Sequence, residues 1–174
     1  MMILAIDPGN VESAYVYIDF DTYRPVEFGK VPNEELLTEL KAGFYGTVST
    51  VVIEMIQSYG MPVGATVFDT CIWIGRFEEA VEENWEAKVR FIKRGDVKKN
   101  ICHATAAKDS YVIQALIDRF APDTPNRGKG YKKDPGFFYG FRADVWQAYA
   151  LGVTYIDKYN ERMEQVRLHR QHLK

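Results

Sequence analysis

Apolar and polar positions alternate along the first third of the chain with the short period of strands. "MILAI" (2–6) is an apolar run, "AYVYIDF" (14–20) alternates, and "VEFGKV" (26–31) alternates again, which predicts an antiparallel three-stranded opening. Asn33 is then placed as an N-cap for "EELLTELKAGF", where Leu36, Leu37, Leu40 and Phe44 recur at helical spacing. "STVVIEM" (49–55) returns to strand, so the pattern has switched from meander to β-α-β. From about 63 to 82 the helical period resumes, with Val67, Cys71, Ile74 and Val81 near one stripe. "AKVRFIK" (87–93) reads as a fifth strand, and helices are expected over 95–101, 106–120 and about 142–168. The stretch 121–140 carries no periodic element. Trp146, Tyr149 and Val153 sit at core spacing on the last helix, and His169 and His172 fall in a terminus expected to fray.

The order βββ-α-β-α-β-α-α fits one α/β domain spanning 1–174, a mixed five-stranded sheet with helices on both faces. Length and composition agree: 174 residues, 47% hydrophobic, are enough for one well-filled core. A net charge of −2 means that any nucleic-acid contact must come from local basic patches. Cys71 and Cys102 are far apart, and neither a signal peptide nor a long apolar run is present, which predicts a reduced, soluble, cytoplasmic protein without a membrane partner.

"ILAIDPGN" (3–10) ends an apolar strand on a carboxylate and turns at once through Pro8 and Gly9. Glu54 closes "TVVIE" in the same way, before the turn-like "QSYGMP". Ligands of α/β sheets gather beyond the carboxyl ends of strands, so acids at strand tips can meet although distant in sequence. Asp144, at the start of the last helix, is a third candidate, placed where the positive helix end favours an anion. Three like charges in one pocket call for a neutralising cation, and an all-oxygen donor set suits Mg²⁺ or Mn²⁺. Two such ions are suited to phosphodiester chemistry. The stretch "APDTPNRGKGYKKDPGFFYGF" (121–141) leads into Asp144 and carries Arg127, Lys129, Lys132 and Lys133 around Tyr131, a flexible basic loop suited to phosphate contact and stacking.

"AIDPGNVESAY", "VVIEMIQSYG", "RGDVKKN" followed by "AAKDSYV", and "ADVWQAYALGV" resemble, in order and spacing, the RuvC family of Holliday-junction resolvases within the RNase H-like superfamily, above all its divergent phage members. The resemblance implies an RNase H-like fold and paired phosphodiester hydrolysis of branched double-stranded DNA by a homodimer carrying two Mg²⁺ or Mn²⁺ ions per site. A phage origin would place it in the cytoplasm of a bacterial host. Carried over by position, Asp7, Glu54 and Asp144 would be metal ligands, with Tyr15 at a position where the family often has tyrosine. Lys98, with Lys99 beside it, and Lys108 would sit near the scissile phosphate, Lys108 in a catalytic role, and Tyr59 would probe the junction. The family's last motif has two ligands one helical turn apart. Here the second position is Gln147, an amide that ligates a hard cation more weakly, and Asp69 is the alternative fourth ligand. The predicted helix 63–82, with Gly64, Ala65, Cys71 and Gly75, is the expected dimer interface. Two other readings share these residues: a junction-binding protein without catalysis, and an ATPase of the actin-like superfamily.

Overall fold

Five strands form one mixed sheet in the computed structural model, which describes residues 1–43, 48–57, 60, 62 and 64–172. Strands β1 (Met2–Asp7), β2 (Glu12–Asp19) and β3 (Pro25–Pro32) make the expected antiparallel meander, and β4 (Val48–Met55) and β5 (Lys88–Lys93) add to β1 in parallel. The spatial order is β3-β2-β1-β4-β5. Helices α1 (Asn33–Ala42) and α2 (Ala65–Asn84) follow β3 and β4. After β5 come α3 (Arg94–Cys102), α4 (Asp109–Phe120), a two-residue ladder of β6 (Gly130–Tyr131) and β7 (Asp134–Pro135), and α5 (Val145–His172).

Strand alternation divides the core. Leu4, Ile6, Val51 and Ile53 face α1 and α2, whereas Ile3, Ala5, Val52 and Ile92 face α5 with α3 and α4 around it, so both sheet faces are covered. Both central strands are therefore apolar on either side, which is why "LAI" and "VVI" read as unbroken runs. Helix α5 crosses its face in close contact: a Cβ on Gly152 would lie 2.3 Å from Ile18 Cδ1 and 3.2 Å from Ala5 Cβ. Trp146, Tyr149 and Val153 are buried as their spacing predicts. Asp157 fixes the far half of α5. It takes a two-pronged ion pair from Arg119 (2.8 Å to each oxygen) and hydrogen bonds from Asn100 and Tyr23, so this half-buried charge is fully partnered.

Several expectations are corrected. Asn33 is not a cap; its side chain is buried, accepting from Ser13 Oγ (2.6 Å) and donating to the Gly9 carbonyl (2.9 Å). That bond holds the Asp-Pro-Gly turn against the start of α1. On α2 the buried stripe is Thr70, Ile74, Phe77, Ala80 and Val81, a face on which Thr70 rather than Cys71 lies inward, and Cys71 is exposed. The fourth helix begins at Asp109, three residues later than expected, after turns at 104–107. The last helix continues to His172 rather than fraying near 168.

The segment 121–141 is anchored rather than flexible. Phe138 and Phe141 are fully buried against Trp146 and Tyr149, with Phe138 and Trp146 centroids 4.6 Å apart. Backbone bonds from Gly130 to Pro125 and from Phe138 to Gly128 close the segment on itself. Phe138 and Phe141 belong to the core, while Tyr131 and Tyr139 stay exposed.

Candidate active site

Strand parity carries the acids to one place. Ile3, Ala5 and Asp7 share a face of β1, and Thr50, Val52 and Glu54 share the same face of β4, the face that α5 crosses. Both carboxylates end their strands, and α5 begins over that end of the sheet, with Asp144 accepting its first helical bonds from Gln147 and Ala148. The Asp-Pro-Gly turn is tight enough to require glycine. A Cβ on Gly9 would lie 2.3 Å from the Glu12 carbonyl oxygen.

Burial pushes the Asp7 carboxyl up to about 7 from an ordinary 3.8, with the charges of Glu54 and Asp144 adding and those of Arg94 and Lys30 opposing. Glu54 is raised by burial as well, against the pull of Arg94. The carboxylates are thus electrostatically coupled across the strand ends. Two cations that the sequence reading overlooked hold them in check. Lys30 Nζ lies 2.7 Å from Asp144 Oδ2 and 3.8 Å from Glu12 Oε2, and Arg94 Nη1 lies 3.2 Å from Glu54 Oε2. Arg94 Nη2 continues to Asp109 Oδ1 (3.0 Å), which Lys98 Nζ also reaches (3.2 Å). A chain of alternating charge therefore runs Lys98–Asp109–Arg94–Glu54 toward Asp7.

The register explains Lys30: Asp7 pairs with Ala14 and Ala14 with Lys30, so the lysine stands in the same row two strands away, on the same face. Arg94 directly follows the tip of β5, the strand beside Glu54. A basic residue at a strand end was the signal available in "FIKRGD". Asp7, Gly9, Glu12, Lys30 and Asp144 line an open pocket of about 350 Å³.

Gln147 supplies a further oxygen. It is buried one turn beyond Asp144 on α5, and its Oε1 has no hydrogen-bond partner among the described residues, a costly state for a buried polar atom. Asp69 is exposed on the second turn of α2 and makes no ion pair with these residues.

An all-oxygen set of Asp7, Glu54, Asp144 and an unpartnered amide oxygen fits a hard divalent cation in its donor chemistry. Among the described residues, no three His, Cys, Asp or Glu side chains close into a ready-made ion cage; Lys30 and Arg94 pair with Asp144 and Glu54 instead.

The expected phosphate-contacting residues are dispersed. Lys98 is drawn into the site's charge network, whereas Lys99 is exposed on α3. Lys108, exposed at the N-cap of α4, makes no ion pair among the described residues. Arg127, Lys132 and Lys133 are exposed around Tyr131, and Lys129 is half-buried. Tyr59 lies outside the described residues.

No family model and no curated protein sequence matches this chain. Solved structures do. RuvC of Thermus thermophilus superposes with a TM-score of 0.65 at 16% identity, covering 94% of this chain and 97% of that one. The same protein in complex with a Holliday junction substrate gives 0.63 at 16% identity, covering 94% and 96%. The Fowlpox virus resolvase, in complex with Holliday junction DNA, gives 0.56 at 14% identity, covering 90% and 99%. The chain therefore carries the RNase H-like fold in its RuvC form, across nearly all of its length.

Proposed function

We propose that this chain is a divalent-metal-dependent endonuclease of RuvC type, cutting branched DNA and four-way junctions foremost. The observation that supports the reading is the electrostatic coupling of Asp7 with Glu54 and Asp144 at the strand ends, with Asp7 pushed up to about 7, and Gln147 Oε1, one turn beyond Asp144, without a partner among the described residues. The likeness to two resolvases in complex with Holliday junction DNA supports the choice of substrate.

Asp7, Glu54, Asp144 and Gln147 would hold Mg²⁺ or Mn²⁺, two ions supplying an activated water and charge stabilisation for phosphodiester hydrolysis. The chain's own contribution is positional. β1 and β4 fix two carboxylates on a rigid sheet, and α5 brings the third with its positive end. Lys30 and Arg94 are poised to turn to substrate phosphate once their acids are otherwise engaged. Lys98 and Lys108 flank the same side and offset developing charge, and the basic segment 127–133 holds the DNA backbone. Paired cuts require two sites, which a symmetric dimer provides. Helix α2 offers the surface: Phe68 and Ile72, one turn apart, are 59% and 61% exposed beside small Cys71 and Gly75.

The direct test is incubation of the purified protein with a labelled four-way junction, with and without Mg²⁺ or Mn²⁺. Cleavage in symmetric pairs only with the ion is expected; binding without cleavage at every ion concentration selects the second reading, a junction-binding protein, which the replacement of a charged ligand by Gln147 favours.

Gln147 gives its own prediction. Its amide oxygen supplies a dipole where a carboxylate supplies charge, so Gln147→Asp should lower the Mg²⁺ concentration for half-maximal cleavage and Gln147→Ala should raise it, while Asp69→Asn leaves it unchanged. A dead Asp69→Asn with unaltered Gln147 variants would move the fourth ligand to α2. For the basic segment, Lys129→Ala, Lys132→Ala and Lys133→Ala together should reduce the salt dependence of junction affinity by about one unit of slope per lost phosphate contact. An unchanged slope in filter-binding titrations would place the DNA elsewhere.

A further inference from the structure

Midway along α5 lies a second, open cavity of about 740 Å³, within the range of about 300–1,000 Å³ typical of ligand sites. One wall is the sheet: Lys88 and Arg90 lie on edge strand β5, in the row of the buried Ile92. The other wall is helix α5, which presents Tyr155, Lys158, Tyr159 and Arg162 at spacings of three and four, hence on one face. Tyr155 is tied to the sheet through Thr50, their hydroxyl oxygens 3.2 Å apart, and from Lys158 onward the helix is exposed. The wedge is where the helix parts from the sheet. Thr50 and Glu54 stand four residues apart on β4, about 13 Å, so this cavity is separate from the acidic pocket.

Its charge is opposite in character. The cations beside the acids are engaged in ion pairs, whereas Lys88, Arg90, Lys158 and Arg162 make none among the described residues, and Asp96 is the sole acid in the lining. Four cations against one acid leave the lining with an excess of positive charge that favours an anion. Lys158 and Arg162 are spaced by about 6 Å along the helix, and Lys88 and Arg90 by about 6.6 Å along the strand. Cations spaced in this way along both walls match successive phosphates of a chain better than one small anion. Tyr159 is 40% exposed between them, braced edge-on by Phe20 at 5.2 Å, so a flat aromatic surface for a base stands beside the cations.

We propose that this cavity is a second nucleic-acid site, one that takes a single-stranded segment with its phosphates between Lys88–Arg90 and Lys158–Arg162 and a base on Tyr159. It acts without metal and apart from the acids, so it stands whether or not the chain cleaves junctions.

The experiment is fluorescence anisotropy of a labelled eight-residue oligothymidylate in chelator-containing buffer. The parent should bind with strong salt dependence. Arg90→Glu with Arg162→Glu should weaken binding at least 10-fold, Lys88→Gln with Lys158→Gln several-fold, and Tyr159→Ala about 5-fold or more, each with unchanged circular dichroism. Because the chelator removes any metal-dependent cleavage, loss of binding in the double variants reads this site and not the acidic one. Equal affinity in both double variants would overturn the proposal. So would a polyglutamate peptide that competes as well as unlabelled oligonucleotide, since the cavity would then be a site for any polyanion.

Discussion

Asp7→Asn should reduce junction cleavage by roughly 10²- to 10³-fold or more while leaving junction binding intact, and Glu54→Gln should behave alike. Both substitutions keep the shape of the side chain and remove the charge at the strand ends. The same Asp7→Asn change should stabilise the metal-free protein above neutrality. In the folded chain the Asp7 carboxyl keeps its proton up to about pH 7, whereas the unfolded chain releases it near 3.8. Between those values the folded state binds more protons, so stability falls as pH rises, and the loss is complete above about pH 7. The upper limit of that loss is on the order of 4 kcal/mol. Urea titrations of the metal-free parent and of Asp7→Asn should therefore nearly coincide at pH 4 and separate in favour of the variant by pH 8. Separation in the opposite sense would mean that Asp7 is stabilised as an anion by its neighbours. A site that is less stable without its ion is the expected signature of residues placed for chemistry.

Phe138→Ala should cost about 3–5 kcal/mol, a fall in melting temperature of roughly 10 °C or more. Phe138 is fully buried, and its ring meets Phe137, Phe141, Trp146 and Tyr149, so truncation opens a cavity inside the cluster that seats the start of α5. The consequence reaches the site, since Asp144 and Gln147 are carried by that helix start. At temperatures where the variant remains folded, its metal requirement for cleavage should rise with little change in the pH dependence set by Asp7. A melting shift below 2 °C would show that the 121–141 segment is a loop laid on a core complete without it.

The strands, their order along the chain and the three acids were legible in the sequence, because period-two alternation and a carboxylate at the end of an apolar run are local signals. "ILAIDPGN" and "TVVIE" state a buried strand and its tip without reference to anything distant. The burial of Trp146, Tyr149 and Val153 was likewise local, a matter of helical spacing. Asn33 shows where that ends. Its sequence position suits a cap, but Ser13 and the Gly9 carbonyl, twenty and twenty-four residues away, offer a buried partner set that a helix end exposed to water cannot match. The aromatics of 121–141 gave no period because they pack by ring contact with α5, not by lying on a regular element. Lys30 was out of reach for a similar reason, and the strand-end position of Arg94 was legible but not its partner: both become counter-charges, of Asp144 and Glu54, only through register and sheet order. Local pattern sets which acids end the strands, whereas register and sheet order set which charges meet, because Coulomb energy depends on distance in space and not along the chain.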